Sequence, residues 1–334
     1  MSFQINLQPS GHHYSADDNV SLLDAALAAG FVLPYGCRNG ACGSCKGKVI
    51  SGEIDHGKAQ LSALPDADRS KGLALFCCAT ARSDLTLECR EVANAKDIPL
   101  RILPCRVQHI ERVASDVIIL SLKLPTNERL QFLPGQYIEF LLKDGKRRAF
   151  SIANAPHQDE LLTLHIRRVD GGSFTTHVFE VMKEKEILRF QGPMGTFFLR
   201  EESSKPIILV AGGTGFAPIK AIIEHAIEQK HSRPMQLYWG AQSRSGLYLP
   251  ELPAKWPLDY VPVLSNASAG DDWIGRTGFV HQAVITDHSD LSEFQIYACG
   301  SPAMIDAAHR DFIAAGLPEE EFFADAFNLA PPGS

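Results

Sequence analysis

The stretch that decides the fold of this chain is a short loop with three cysteines, Cys37-Arg38-Asn39-Gly40-Ala41-Cys42-Gly43-Ser44-Cys45. Four residues separate the first two cysteines, and two residues separate the second from the third. A segment this rich in thiols and glycines buries little apolar surface, so it does not have the composition of an ordinary packed core. The thiols are therefore candidates for metal ligation.

The spacing of these cysteines is the Cys-x4-Cys-x2-Cys pattern of plant-type [2Fe–2S] centres, which need a fourth thiolate from farther along the chain. The adjacent residues Cys77 and Cys78 can each supply it. The glycines within residues 36–47 let the loop wind tightly while its N–H groups turn towards sulfur. Structural zinc is the alternative, but zinc sites normally use two short Cys-x2–4-Cys knuckles, and two adjacent cysteines do not form one. The pattern favours an iron–sulfur centre.

Length and composition limit what the rest of the chain can be. The 334 residues, 45% of them hydrophobic, suffice for two or three cores of roughly 100 to 150 residues each. A net charge of −7 argues against binding to nucleic acid through phosphate neutralisation. The start of the chain, Met1–Asn6, lacks a signal sequence, and no apolar run approaches the roughly 20 residues needed to span a bilayer. We expect a cytoplasmic protein with no nucleic-acid or membrane partner.

Changes in sequence pattern predict three domains. Six of the eight cysteines lie in the first 90 residues, and a polar, proline-containing segment from Glu91 to Pro104 is typical of a linker. A second change follows the polar residues at 203–206. We place the domains at residues 1–96, 97–203 and 204–334.

Each predicted domain has its own secondary-structure pattern. In the first, residues 22–29 form an apolar helix that ends at Gly30. In the second, strand-like segments separated by Pro-Gly, Asp-Gly and Gly-Gly turns predict an antiparallel barrel; they include residues 117–120, 137–141 and 162–166. In the third, short apolar strands alternate with helices, which predicts a parallel sheet; the helices include residues 218–229 and 303–315.

The tetrapeptide Arg148-Ala149-Phe150-Ser151 suits a flavin. A flavin needs a cation for its pyrophosphate, an apolar or aromatic face for its ring, and a hydroxyl or N–H near N5, and these residues offer all three. Taken alone, the same residues are explained equally well by a core Phe150 beside a solvated Arg148.

A glycine-rich turn follows the predicted strand at residues 207–211 and reads Gly212-Gly213-Thr214-Gly215-Phe216-Ala217-Pro218. A strand, a glycine turn and a helix N-terminus together form an anion site suited to a dinucleotide pyrophosphate. Pro218 replaces the third glycine of the usual dinucleotide fingerprint, and no Lys-Ser/Thr of a P-loop follows. No acid closes the strand at 235–238, so NADH is only weakly favoured, and Arg244 keeps NADPH open.

Taken together, these motifs resemble a known family. Residues 1–92 are similar to plant-type ferredoxins, and residues 33–47 resemble the cluster loop of bacterial oxygenase reductases. The remaining motifs resemble the ferredoxin–NADP reductase superfamily, as found in the reductases of benzoate-type and phenol-type oxygenases and in the CDP-6-deoxy-delta-3,4-glucoseen reductases. The resemblance implies a multidomain protein with a β-grasp [2Fe–2S] ferredoxin domain, an antiparallel β-barrel FAD domain and an α/β parallel-sheet NAD(P) domain.

The resemblance also assigns ligands of the cluster and of FAD. In relatives the fourth cluster ligand lies six residues before a Ser-Asp-Leu, which here selects Cys77 through residues 83–85 and joins it to Cys37, Cys42 and Cys45. Cys78 stands where many relatives have Gln, which leaves that choice open. The residues implied to bind FAD are Arg148 at the pyrophosphate, Phe150 on the isoalloxazine, Ser151 near N5, and His165, Ile166, Gly172, Ser173 and Thr175 on the next strand and loop.

The nucleotide site follows from the same resemblance. The implied residues are Gly213, Thr214, Gly215, Cys299, Gly300 and Phe327. Cys299 would approach the nicotinamide C4, so Cys299 and Ser151 are the candidate catalytic residues, and both act by positioning.

The function implied by the resemblance is reduction of a partner protein. Hydride from NADH enters at FAD, and single electrons leave through the cluster to an acceptor, an oxygenase component or a deoxysugar dehydrase, that docks near Arg38, Asn39 and Lys46. Two alternatives are a redox-sensing regulatory module that does not turn over and a flavin enzyme that reduces a small substrate directly.

Overall fold

The computed structural model describes residues 1–92, 98–268, 270 and 272–327. Contacts divide the chain into two compact units, Met1–Pro99 and Leu100–Ser334. The predicted boundary at residues 96 and 97 lies outside the described residues. The predicted boundary at residues 203 and 204 lies inside the second unit, where it stays a prediction.

The N-terminal unit is a mixed β-sheet with a short helix against it. The sheet order is β2-β1-β7-β3-β5, in which β1 pairs in parallel with β7 and antiparallel with β2, and β4 pairs with β6. This is the predicted β-grasp arrangement. The elements are β1 Ser2–Gln8, β2 His13–Asp17, α1 Leu22–Ala28, β3 Lys46–Ser51, β4 Ile54–Asp55, α2 Asp66–Arg69, β5 Leu73–Leu75, β6 Thr80–Ala81 and β7 Leu85–Glu88.

Helix α1 forms where the sequence predicts it. Its N-cap is Ser21, whose hydroxyl accepts a hydrogen bond from the backbone N–H of Asp24 at 3.0 Å. The helix ends before Gly30, which has a φ of +84° that favours glycine. Leu22 and Leu23 are completely buried. Their burial anchors the chain immediately before the cysteine loop.

The first part of the second unit is the predicted antiparallel barrel. The strand order is β11-β10-β13-β8-β9-β12, and a bridge between Ile152 and Leu164 joins the two ends. The elements are β8 Arg101–Ala114, β9 Val117–Lys123, β10 Tyr137–Leu141, β11 Arg147–Ser151, β12 Leu162–Arg167, α3 Ser173–Thr176, which continues into a π-helical turn at His177–Val181, and β13 Ile187–Met194.

Strand β8 begins earlier than the sequence indicates. Pro104 lies inside the strand, whereas the prediction ended the linker at this residue. Its neighbours Leu103 and Cys105 are buried and pair with Phe190 and Leu188 of β13. The apolar surface that these two side chains bury outweighs the proline signal.

The second part of this unit is the predicted parallel sheet, in the order β17-β16-β15-β14-β18-β19. The predicted helix at 218–229 begins two residues early, and the C-terminal segment adds an edge strand that was not predicted. The elements are β14 Ile207–Gly212, α4 Phe216–Glu228, β15 Met235–Ala241, β16 Asp259–Leu264, β17 Arg276–Thr277, α5 Val280–Asp287, β18 Gln295–Gly300, α6 Pro302–Ala314 and β19 Phe322–Ala326. A one-turn 3-10 helix, Gly213–Gly215, joins β14 to α4.

Two features of this sheet position a site. The strand order reverses between β14 and β18, and ligands of open α/β sheets bind at the carboxyl ends of strands at such a point. The barrel residues Val117, Phe197 and Leu199 share one apolar core with the sheet, which explains why barrel and sheet form a single compact unit. Among the described helices, none has the length and apolarity to cross a membrane.

Candidate functional site

Four thiols of the N-terminal unit lie in two hydrogen-bonded pairs. Cys37 and Cys42 are hydrogen-bonded to each other, and the Cys42 Sγ also accepts the backbone N–H of Cys37 at 3.4 Å. Cys45 is hydrogen-bonded to Cys77, whose Sγ lies 3.6 Å from that of Cys78. Within the described residues, no three metal-ligating side chains are arranged to hold a single ion. A [2Fe–2S] centre takes two ligands on each iron, so the paired arrangement fits it.

Of the two adjacent thiols, Cys77 is the one whose surroundings favour the thiolate form. Hydrogen bonds from Cys45 and Cys78, the N–H of Gly40, and the nearby Lys58 ammonium lower the pKa of Cys77 to about 3. The pKa of Cys78 is raised, first by its hydrogen bond to Cys77 and then by burial. A side chain at Gly40 would place its Cβ 2.6 Å from the Cys78 Sγ. The arrangement supports Cys77 as the fourth ligand, and that assignment stays a prediction.

The tetrapeptide expected to bind flavin forms strand β11. Arg148 and Phe150 are two residues apart and share one half-buried face, while Ser151 is buried. The Phe150 ring packs on Phe140 and Phe174, with centroid separations of 5.9 and 5.5 Å. The strand therefore presents the cation and the half-exposed ring on one face and ends at the hydroxyl.

The loop expected to bind the pyrophosphate is shaped by Thr175. The hydroxyl oxygen of this residue accepts the N–H of Val169 and lies 3.2 Å from the carbonyl oxygens of Val169 and Gly172. A Cβ at Gly172 would lie 2.7 Å from the same hydroxyl. The hydroxyl is thus engaged within the loop, and the Gly172 N–H donates to the Val169 carbonyl at 3.0 Å. What the loop offers an anion is therefore the backbone N–H of Ser173, at the start of α3.

Two residues of β12 that are predicted to bind FAD, His165 and Ile166, have side chains buried inside the protein. Ile166 is completely buried in the barrel core. The His165 ring packs against Tyr248, in the segment between β15 and β16, with its Nδ1 2.8 Å from the Tyr248 hydroxyl. Burial, and then the Lys220 ammonium, lower the pKa of His165 to about 3. Contacts of these two residues with a cofactor would have to come from their backbone.

The predicted nucleotide residues meet at the reversal of strand order. A Cβ on Gly215 would lie only 2.1 Å from the carbonyl oxygen of Cys299, so the turn Gly213–Gly215 packs directly on the end of β18. The N–H of Phe327, just after β19, donates to the Gly300 carbonyl at 2.8 Å. Residues from the ends of three strands thus form one surface at the carboxyl edge of the sheet.

The Cys299 thiol is completely buried. Burial, and then the neighbouring Asp325 carboxylate, raise its pKa. A thiol that keeps its proton is a poor nucleophile. The positioning role expected for Cys299 stays a prediction.

Arg167 is a site residue that was not selected from the sequence. Its Nη1 would lie 2.7 Å from a Cβ at Gly213, so the guanidinium faces the glycine turn. Its Nε forms an ion pair with the Asp116 Oδ2 at 3.2 Å. Both Nε and Nη2 are buried, and neither has a well-oriented hydrogen bond to any of the described residues. The sequence signal was available, because Arg167 lies two residues after His165 and therefore on the same face of β12.

Three domain families match the chain. Residues 5–82 match a 2Fe-2S iron-sulfur cluster binding domain. Residues 104–199 match an oxidoreductase FAD-binding domain, and residues 209–310 match an oxidoreductase NAD-binding domain. These matches contain the cysteine loop, strand β11 and the glycine turn, respectively.

Relatives match over nearly the whole chain. A CDP-6-deoxy-L-threo-D-glycero-4-hexulose-3-dehydrase reductase from Yersinia pseudotuberculosis is 44% identical over 98% of this chain and 99% of that protein. A reductase component of terephthalate 1,2-dioxygenase from a Comamonas species is 34% identical over 100% of both chains. The crystal structure of an Amycolatopsis cytochrome P450 reductase has a TM-score of 0.77 at 32% identity, covering 97% of this chain and 98% of that one.

A cluster-binding module, an FAD-binding barrel and an NAD-binding sheet on one chain define an iron–sulfur flavoprotein oxidoreductase. The chain belongs to the family of NAD(P)H-dependent [2Fe–2S]/FAD reductases, in which these relatives are reductase components. The predicted family, fold class, cofactors and electron-transfer activity are confirmed. The partner class, an electron-acceptor protein, is confirmed at that level, and the matches do not distinguish NADH from NADPH.

Proposed function

We propose that this protein transfers electrons from NADH to a sugar-nucleotide dehydrase component. The relative named for such a dehydrase is 44% identical, whereas the terephthalate dioxygenase relative is 34% identical, so an oxygenase component is the second choice of acceptor. When bound, FAD accepts hydride from the nicotinamide, and the [2Fe–2S] centre passes electrons on singly. The chain's own residues bind and orient these groups.

In this proposal the barrel holds FAD. The Arg148 guanidinium neutralises the pyrophosphate, the Phe150 ring covers the isoalloxazine, and the Ser151 hydroxyl lies near N5. The backbone N–H of Ser173, at the start of α3, completes the phosphate contacts. The shared face of Arg148 and Phe150 on β11 supports these roles.

The sheet holds the nucleotide. N–H groups of the turn Gly213–Gly215 and the Arg167 guanidinium contact the pyrophosphate, and Cys299, Gly300 and Phe327 border the nicotinamide. The single observation that carries the proposal is that the turn and the end of β18 are in direct contact at the reversal of strand order. That contact, together with Arg167 of β12 lying against Gly213, supports a dinucleotide site beside this barrel strand.

The cluster is held by two pairs of thiolates, Cys37 with Cys42 and Cys45 with Cys77. The paired hydrogen bonds among these thiols support this division. Each pair would ligate one iron.

The acceptor docks near the cluster loop in this proposal. Asn39 is exposed there, Arg38 is paired with Asp24, and the Lys46 Nζ is paired with the Asp68 carboxylate at 2.7 Å. Because two of the three predicted docking side chains already have charge partners, we expect docking to depend on shape and on exposed polar groups more than on bare charge. A cytoplasmic location is part of the proposal and can be checked by cell fractionation.

The experiment is anaerobic rapid mixing of the purified holoprotein with NADH, followed by mixing with a purified dehydrase component. We expect flavin absorbance to bleach first, the cluster absorbance to follow, and both to recover when the dehydrase and its substrate are added. Recovery with an oxygenase component only would reassign the acceptor. A preparation that contains zinc in place of iron, or that does not bleach with NADH, would contradict the proposal.

A further inference from the structure

A buried contact joins the flavin barrel to the nucleotide sheet within the second unit. The His165 Nδ1 lies 2.8 Å from the Tyr248 hydroxyl oxygen, and the two rings meet edge to face with centroids 5.5 Å apart. Both side chains are buried, at 6% and 5% exposure. A hydrogen bond made away from water has little competition from solvent, and either partner left alone would be an unsatisfied polar group.

Tyr248 continues into a stack of aromatic rings. Its ring lies edge-on to Trp239 at 5.3 Å and to Phe216 at 6.1 Å, and these two rings are parallel to each other at 3.8 Å. The Trp239 Nε1–H donates to the carbonyl of Gly213 at 3.0 Å. A continuous set of packed rings and hydrogen bonds therefore leads from His165 of the barrel to the first residue of the glycine turn.

The same face of β12 touches the turn directly. Arg167, two residues after His165, lies against Gly213. A separate link runs from the Lys220 Nζ on α4 to the carbonyl of Ala153, at 3.1 Å. Strand β12 therefore meets the glycine turn in two ways, through the aromatic rings that start at His165 and directly at Arg167. The Lys220 hydrogen bond adds a contact between α4 and the barrel.

We propose that His165 and Tyr248 are positioning residues that fix the glycine turn relative to the flavin barrel and thereby set the rate of hydride transfer. The inference rests on the proposed function, in which FAD lies in the barrel and the nicotinamide lies at the turn. Hydride transfer requires the reacting atoms about 3 to 3.5 Å apart, and a misplacement of about 1 Å can cost roughly 100-fold in rate. Neither residue needs to contact a cofactor to have this effect.

The test uses substitutions that separate the hydrogen bond from packing. Tyr248→Phe removes one oxygen, His165→Leu removes the ring nitrogens, and His165→Asn retains a polar group close to the place of Nδ1. The matched control is Tyr238→Phe. Tyr238 is also buried, and it lies on the face of β15 opposite to Trp239, where its hydroxyl donates to Asp287 at 2.8 Å.

Flavin reduction at saturating NADH is measured by stopped flow, together with NADH affinity, FAD content and cluster absorbance. We expect Tyr248→Phe and His165→Leu to slow flavin reduction by about tenfold or more, which corresponds to about 1.4 kcal/mol of barrier. NADH affinity, FAD content and cluster absorbance should be unchanged. His165→Asn should recover most of the rate, and Tyr238→Phe should keep all of it.

Several results would overturn the proposal. Unchanged flavin reduction in Tyr248→Phe, even with a lower melting temperature, would show that the contact is only structural. Loss of FAD or weaker NADH binding in step with the rate would show a binding role instead. If His165→Leu does not fold, Tyr248→Phe still tests the proposal, because it removes only the hydroxyl group. Failure of the unaltered protein to reduce its flavin with NADH would count against the proposed function and not against this pair.

Discussion

The cysteine loop and the nucleotide site are built in opposite ways. Three of the four predicted cluster ligands come from nine consecutive residues, so covalent geometry brings them together before any packing. The nucleotide site combines β12 of the barrel with the ends of β14, β18 and β19, which are far apart in sequence. The first site therefore depends on which residues are present, and the second depends on how strands are ordered and how tightly their ends pack.

The strongest test of this difference is the substitution Cys42→Ser. We expect it to abolish reduction of added cytochrome c by NADH, because it removes a predicted cluster ligand, and to spare flavin reduction by NADH, because the second unit has a core of its own. Steady-state cytochrome reduction and stopped-flow flavin bleaching measure the two activities. Equal loss of both would mean that the two sites are not separable.

The adjacent thiols provide the next test. Cys77→Ser should lose iron and cluster absorbance, because Cys77 is the predicted fourth ligand and its surroundings favour the thiolate form. Cys78→Ser should keep its iron, because the predicted fourth ligand is Cys77, and the hydrogen bond to Cys77 and then burial raise the pKa of the Cys78 thiol. Iron analysis and visible absorbance compare the two variants directly. Iron loss in Cys78→Ser with retention in Cys77→Ser would reverse the assignment.

Arg167 tests the assembled site. Arg167→Met should weaken NADH binding by about 10- to 100-fold, because a hydrogen bond to a charged group contributes roughly 1.5–3 kcal/mol. The maximal rate of flavin reduction should change much less. Arg168→Met is the matched control, since that arginine is the next residue after the end of β12 and pairs with Glu180. Similar affinities in the two variants would remove Arg167 from the nucleotide site.

The smallest expected effect is on the pH dependence of stability. Burial, and then Lys220, lower the pKa of folded His165 to about 3, against 6.5 in the unfolded chain. Between these values the unfolded chain binds more protons, so this contribution to stability is complete above pH 6.5 and is lost as pH falls towards 3. The slope is at most about 1.4 kcal/mol per pH unit. Urea unfolding at pH 7, 6 and 5 should show the stability of the unaltered protein falling towards that of His165→Asn, and parallel curves would contradict the buried neutral imidazole.

The same contrast explains how much could be predicted from sequence. The cysteine spacing, the helix before Gly30, the strands of the barrel and the alternation of strands and helices were all visible as local patterns and agree with the structure. The partner of His165 could not be found that way, because Tyr248 lies 83 residues farther along the chain. Pro104 inside β8 was missed for a similar reason: the burial of its neighbours depends on pairing with β13.

The parallel pairing of β1 with β7 ties the beginning of the N-terminal unit to its end. Ile5 and Leu7 of β1 and Leu87 of β7 are completely buried, so the module cannot close until residue 88 has been synthesised. The compact unit to which these strands belong ends at Pro99. On the ribosome, this sheet can therefore begin to close while the flavin barrel is still being translated.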